Sequence, residues 1–230
     1  MTAPSVSRSA GVLRSRHAVA GILTCLGGAV ICLGVAPVLM PESYSWVSHT
    51  TSESAAQGVV GAWLTRLGFV LSWLAVLWLV AVSGRMWNKQ ARILHAWFGV
   101  FMVATAAFSA RSWEAEMPFD ATEDVLHSIA ATGMVFAFTL GVVAVLMQRV
   151  RDGSKPHLLD VIAVAAALLV SVGMAMWSDG AGLLQRAIVL IVFVWYAAEV
   201  IALGRLRRLW DVSVELTGLA DQHEPQTDTT

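Results

Sequence analysis

Charge is unusually scarce in this chain. Only 13% of its 230 residues are Asp, Glu, Lys or Arg, against about 25% in soluble domains. That shortfall leaves too little charge to clothe a water-facing surface, so lipid is the expected solvent. The formal net charge of −1 gives no footing for nucleic acid or for a broadly basic lipid-binding surface. Cysteine is scarcer still, with two in the chain. Cys25 and Cys32 lie seven apart in the first apolar run, about 10 Å along a helix, and a disulfide needs Cα atoms within about 7 Å. No Cys-x-x-Cys or Cys/His zinc spacing occurs, so neither a metal nor a cofactor is expected. No polar stretch is long enough for a soluble domain, and no internal repeat supports an inverted-repeat transporter.

What is present is apolar sequence: 57% of residues are hydrophobic and the mean hydropathy is +0.68. A helical span needs roughly 20 mostly apolar residues, and six stretches qualify, near 17–40, 58–83, 93–110, 124–148, 157–178 and 182–204. Their continuous apolar character excludes spanning β-strands, which alternate over about ten residues. A lone helix, by contrast, satisfies its own backbone in lipid. The expected fold is therefore an all-α integral membrane protein with six transmembrane helices.

Basic residues orient it. Arg8, Arg14 and Arg16 precede the first run; Arg85, Lys89 and Arg92 separate the second and third; Arg149, Arg151 and Lys155 separate the fourth and fifth; Arg205, Arg207 and Arg208 follow the sixth. Only Arg66, Arg111 and Arg186 fall on the other side. The alternation places both termini in the cytoplasm and the protein in the plasma membrane. An Arg-rich start before an apolar run also fits a cleaved signal peptide, but the run to Met40 is long for a signal core and no small-x-small site closes it, so an uncleaved first helix is expected. Residues 1–16 then form a cytoplasmic segment, 17–205 the membrane domain, and 206–230 a cytoplasmic tail whose end is expected to be disordered. Trp46, Trp63, Trp113 and Trp177 near the outer boundary, and Trp78, Trp87, Trp97 and Trp210 near the inner one, match interfacial aromatic belts; Trp195 lies deeper and is expected to pack.

Polar residues gather on the outer side. The first outer loop, 41–57, carries Glu42, His49, Ser52 and Glu53 among several hydroxyls, and the second, 111–123, carries Arg111, Glu114, Glu116, Asp120 and Glu123. Arg66 intrudes about two turns into the second helix, where a charge must snorkel or find a partner; Glu53, Asp120 and Asp179 are the candidates. Asp124 and His127, at i and i+3, share a helical face. Asp120 with Glu123 fits an N-cap and capping box, which accounts for the acids without any chemistry. It does not account for His127, which is suited to trading protons near neutral pH. Glu199, near the inner end of the sixth helix, is expected to snorkel towards Arg205. Histidines facing each other at matched depth, as a two-haem cytochrome needs, are not evident.

The stretch Pro118-Phe119-Asp120, followed by His127-Ser128-Ile129-Ala130-Ala131 and Phe136-Ala137-Phe138, resembles the bacterial "domain of unknown function 998" membrane family. The loop Ser48-His49-Thr50-Thr51-Ser52-Glu53 and the helix start Arg66-Leu67-Gly68-Phe69 are similar to that family too, and a looser likeness extends to the DRAM and Frag membrane proteins. The resemblance spans roughly 17–205. It departs where the family often has Phe-Pro-x-Asp and this chain reads Met117-Pro118-Phe119-Asp120. It implies a six-helix membrane protein without an assigned activity, with Ser52, Arg66, Asp120 and His127 in one outer-face site.

Three functions fit. The first is a lipid-interacting or partner-binding membrane component, whose binding candidates are Arg66, Ser52, Glu53, His49 and Arg111; membrane lipids are the expected partners, and a protein partner or second copy is open. The second is a membrane-embedded enzyme acting on a lipid or lipid-linked substrate at the outer leaflet, with His127 as general base or, if His49 joined it, as metal ligand, Asp124 or Asp120 orienting it and Arg66 holding an anionic head. The third is a small proton-coupled transporter.

Overall fold

The computed structural model describes the backbone of residues 5–84 and 86–220, and the side chains of 17–84, 86–206, 208 and 209. Of the basic residues that orient the chain, Arg8, Arg14, Arg16, Arg85 and Arg207 lie outside the described side chains. So do Trp210 and the polar end 221–230. Six α-helices are present among the described residues: α1 Ser5–Val35, α2 Ala62–Val82, α3 Lys89–Ala107, α4 Ala121–Arg151, α5 Leu158–Met176 and α6 Ala181–Ala220. No strand occurs among them.

The apolar runs locate the helices, and local chemistry sets their ends. The Asn88 side chain accepts from the Ala91 amide and starts α3, so this helix begins before its apolar run and ends at Ala107. Asp120 accepts from the amides of Thr122 and Glu123 and starts α4 ahead of its run. At its other end α4 continues to Arg151, three residues beyond the apolar sequence. α6 remains helical to Ala220, through 211–220 where tail was expected. α2 starts at Gly61, whose φ of +86° and close approach to the Leu39 carbonyl leave no place for a side chain.

Five of the helices are long and apolar enough to cross a bilayer; α3 is not among them. Its 19 residues open with Lys89 and Arg92 and contain His95. The helices follow one another in a ring, each packed on its neighbour in sequence, and α6 closes back on α1. The core is therefore central. Ile22, Val76, Leu79, Phe138, Val142 and Trp195 form one buried cluster, while Trp63, Trp97, Phe136 and Leu169 stay on the outside, as an apolar solvent allows.

Candidate functional site

The 41–57 loop, outer by the basic-residue pattern, lies across one end of the ring and is bonded to α2, to α6 and to the loop that precedes α4. On α6, Gln185 Oε1 accepts from the Thr51 amide at 2.5 Å, and the Leu183 amide donates to the Val47 carbonyl. Arg186 donates to the carbonyls of Trp46 at 2.6 Å and His49 at 2.9 Å. Gly182 is pressed so closely on the same two carbonyls that any Cβ would collide with them. On α2, Ser54 and Thr65 share a buried hydroxyl–hydroxyl bond of 2.9 Å. Gln57 ties the loop to the second outer loop, donating to the Ser109 carbonyl and accepting from the Asp120 amide.

The outer residues singled out by sequence sit in this lid and its anchor points. Arg66 neither snorkels nor meets a carboxylate: its guanidinium donates to the carbonyls of Ala55 and Ala56 at 3.1–3.3 Å. Those carbonyls end a short 3₁₀ turn, and a charged donor there satisfies acceptors that the turn leaves free. Glu53 accepts from the Thr50 amide and hydroxyl. His49 accepts from the Ser45 amide through Nδ1 and stacks on Trp113 with centroids 5.0 Å apart. Ser52 faces the interior at the lid's underside. Arg111 lies over the Phe119 ring, and its amide donates to Asp124 at 2.7 Å. His127 is buried, with Nδ1 2.8 Å from the Phe108 carbonyl; its Nε2 has no partner among the described residues. Tyr44 packs against Arg186 and Trp113. Burial pushes its hydroxyl up from the ordinary tyrosine range, against the guanidinium, which pulls it down.

The opposite end is closed by a network that sequence reasoning missed. Arg149 of α4 donates to both oxygens of Asp160 on α5 at 2.6–2.7 Å and to Glu199 on α6 at 2.5 Å. Trp87 Nε1 donates to the other Glu199 oxygen and Trp195 Nε1 to Asp160, each at 2.9 Å. Asp160 and Glu199 are almost fully buried. Glu199 therefore points inward to Arg149, not out towards Arg205, and Trp87 is a core residue, not an interfacial one. His95 packs against both Trp87 and Trp195, at centroid distances of 4.5 and 5.0 Å, and pairs with the Tyr196 hydroxyl at 2.8 Å. His157 brings a ring nitrogen within 4.8 Å of the Asp160 and Glu199 oxygens. These three could form part of a cation site, but Arg149 and the two indoles already occupy the carboxylate oxygens. The available signal was the Trp195-Tyr196-x-x-Glu199 spacing, which puts a carboxylate and two polar aromatics on neighbouring turns.

Between lid and base lies a cavity of about 320 Å³ lined by all six helices. Leu26, Phe69, Phe98, Phe138, Val192 and Phe193 form most of its wall, Tyr196 its floor, and Thr51, Ser52 and Gln185 its outer end. No charged side chain lines it. Three of its hydroxyls are spent on the backbone: Ser72 donates to Gly68, Thr105 to Met102 and Ser171 to Ala167. The space thus offers dispersion and apolar burial, with a little neutral polarity at its two ends. Ligand sites of roughly 300–1,000 Å³ are of this kind.

Helices of membrane-crossing length in a closed ring, a pinned outer lid and an internal apolar cavity define a multi-pass membrane protein. The chain belongs to the family described as protein of unknown function (DUF998), whose model matches residues 19–202. No curated protein and no solved structure gives a significant match.

Proposed function

We propose that this protein is a lipid-interacting membrane component whose binding volume is the central cavity. The reading places six spans in the plasma membrane, with α3 completing the ring and both termini cytoplasmic. The basic residues around the α2–α3 turn (Arg85, Lys89, Arg92), around the α4–α5 turn (Arg149, Arg151, Lys155) and in the second half of α6 (Arg205, Arg207, Arg208) support that orientation. The observation that carries the function is the cavity itself: about 320 Å³ of uncharged space inside a ring of apolar helices, surrounded by a solvent made of chains that fit it. Membrane lipids are accordingly the proposed partners; nucleic acid is not, and the outer lid is the face offered to a protein partner or second copy.

Lipid retention tests it. Protein purified in mild detergent and analysed intact by mass spectrometry is expected to carry a bound chain-bearing molecule. Ala167→Phe, which places a ring at a wall residue that is 3% exposed, is expected to lower that occupancy. A wild-type protein that carries no such molecule, and takes none up from vesicles of phosphatidylcholine, overturns the reading.

The enzyme reading is less well supported. The Nδ1 of His127 is engaged by the Phe108 carbonyl, Asp124 by the Arg111 amide and Asp120 by the first turn of α4, so none of the acids is bonded to the histidine it would orient.

A further inference from the structure

The geometry points to a lateral entrance between α4 and α5, through which a single acyl or isoprenoid chain of a bilayer lipid slides into the central cavity. The inference rests on the binding reading above and names the route and the ligand class.

Both axial routes are shut. At the outer end the lid is bonded to α2, to α6 and to the second outer loop. At the inner end Arg149, Asp160, Glu199 and the indoles of Trp87 and Trp195 fill the ring. Opening either end breaks several buried hydrogen bonds, some of them to charge, and that is costly in a low dielectric. The wall is a different matter. α4 against α5 is the least closely packed seam in the ring. The Arg149–Asp160 pair pins it at the inner end, and Ala163 and Ala167 of α5 are buried above that pin. Further out the seam parts: the cavity-lining residues that are themselves exposed are Thr132 and Val135 on α4 and Ser171 on α5. The surrounding surface is apolar, with Phe136 63% and Val172 58% exposed. An opening of this kind, at membrane depth, admits what the bilayer contains. The absence of charge on the lining and the modest volume select one apolar chain.

The rival entrance is the groove between α1 and α6, which shares Leu33, Thr51, Val189 and Phe193 with the cavity wall and has Gly34 on its rim. There Phe193 stands between groove and cavity and is only 9% exposed.

The full-length protein in phosphatidylcholine nanodiscs, doped with a long-chain alcohol carrying a photoreactive diazirine in its chain, separates the two. Crosslinked peptides are mapped by mass spectrometry. Wild type is expected to be labelled on cavity residues such as Phe98 and Val192. Thr132→Trp with Ser171→Trp, which plugs the α4–α5 seam, is expected to lower that labelling about tenfold. Gly34→Trp, where a Cβ meets no atom within 4 Å, is expected to leave it within about twofold. Thermal unfolding checks each fold, and Val135→Phe replaces the double variant if that fails to assemble. Labelling lost in Gly34→Trp and kept in the seam variant overturns the entrance but leaves the binding reading standing. Labelling equal in all variants does the same. A wild-type cavity that takes no label removes the binding reading and the entrance together.

Discussion

Arg149 is the residue whose loss the fold tolerates least. Its guanidinium is the shared counter-charge of two carboxylates: the Asp160 and Glu199 side chains are 1% and 3% exposed and the Arg149 side chain 15%. Replacing it with Met keeps the aliphatic stem and leaves two buried carboxylates side by side. Breaking a buried pair by removing one partner costs about 3–5 kcal/mol, because the remaining charge is uncompensated. For a domain of this size that is a fall in Tm of roughly 6–20 °C. The same logic gives a rescue. Glu199→Gln in the Arg149→Met background removes one of the orphaned charges while its amide oxygen still accepts from Trp87. It is expected to recover part of the loss, a coupling of about 1–3 kcal/mol. The assay is thermal unfolding of the detergent-solubilised protein, followed by size exclusion or tryptophan emission. An Arg149→Met protein that melts within about 2 °C of wild type, or a second substitution that lowers Tm further, would refute the reasoning.

Three smaller perturbations follow from the outer half. Asp120→Ala removes the cap of α4 and is expected to lower stability by about 1 kcal/mol, with Asp120→Asn close to wild type; equal losses in a thermal melt would count against a capping role. Arg66→Ala strands the Ala55 and Ala56 carbonyls and is expected to cost about 1–3 kcal/mol. It should also speed proteolysis of the 41–57 loop in the intact protein, and a loop cleaved no faster than in wild type would deny its anchoring there. Gly61→Ala puts a side chain at φ +86° against Leu39. It is expected to cost at least about 1 kcal/mol, and a Tm equal to wild type would show that this turn relaxes freely.

Much of the fold is legible in one dimension. Runs of apolar residues and alternating blocks of basic ones give the six helices and their sequential arrangement, because each helix satisfies its own backbone and needs only a run of length enough. Asp120 as a cap of α4 is also legible, since capping is local. The ends of α4 are less so. Arg149 reads as an inner-loop charge until the helix is seen to continue to Arg151, and Asp160, at the start of the fifth apolar run, draws no notice until it is found buried in the first turn of α5. Two residues either side of a short loop then meet Glu199, fifty positions away from Arg149. Nothing in composition or periodicity announces that meeting.

The outer residues show the converse difficulty. Arg66, Glu53, His49, Asp120, Asp124 and His127 carry the types that acid–base chemistry needs, and sequence brings them to one face of the protein. A loop spanning a ring of helices needs the same types for a different reason. Its amides and carbonyls, and those of the second loop and the first turn of α4 beside it, lose water as they pack together, and each must be met by a side chain that reaches it. The carbonyls of Ala55 and Ala56 take Arg66, those of Trp46 and His49 take Arg186, and the amides of Thr50, Arg111 and Thr122 take Glu53, Asp124 and Asp120. Polar abundance at the outer end thus follows from building a lid over an apolar space. On the binding reading proposed above, that space is closed to water at the lid and entered from elsewhere, and the packing of the wall between α4 and α5 is where the reading is tested.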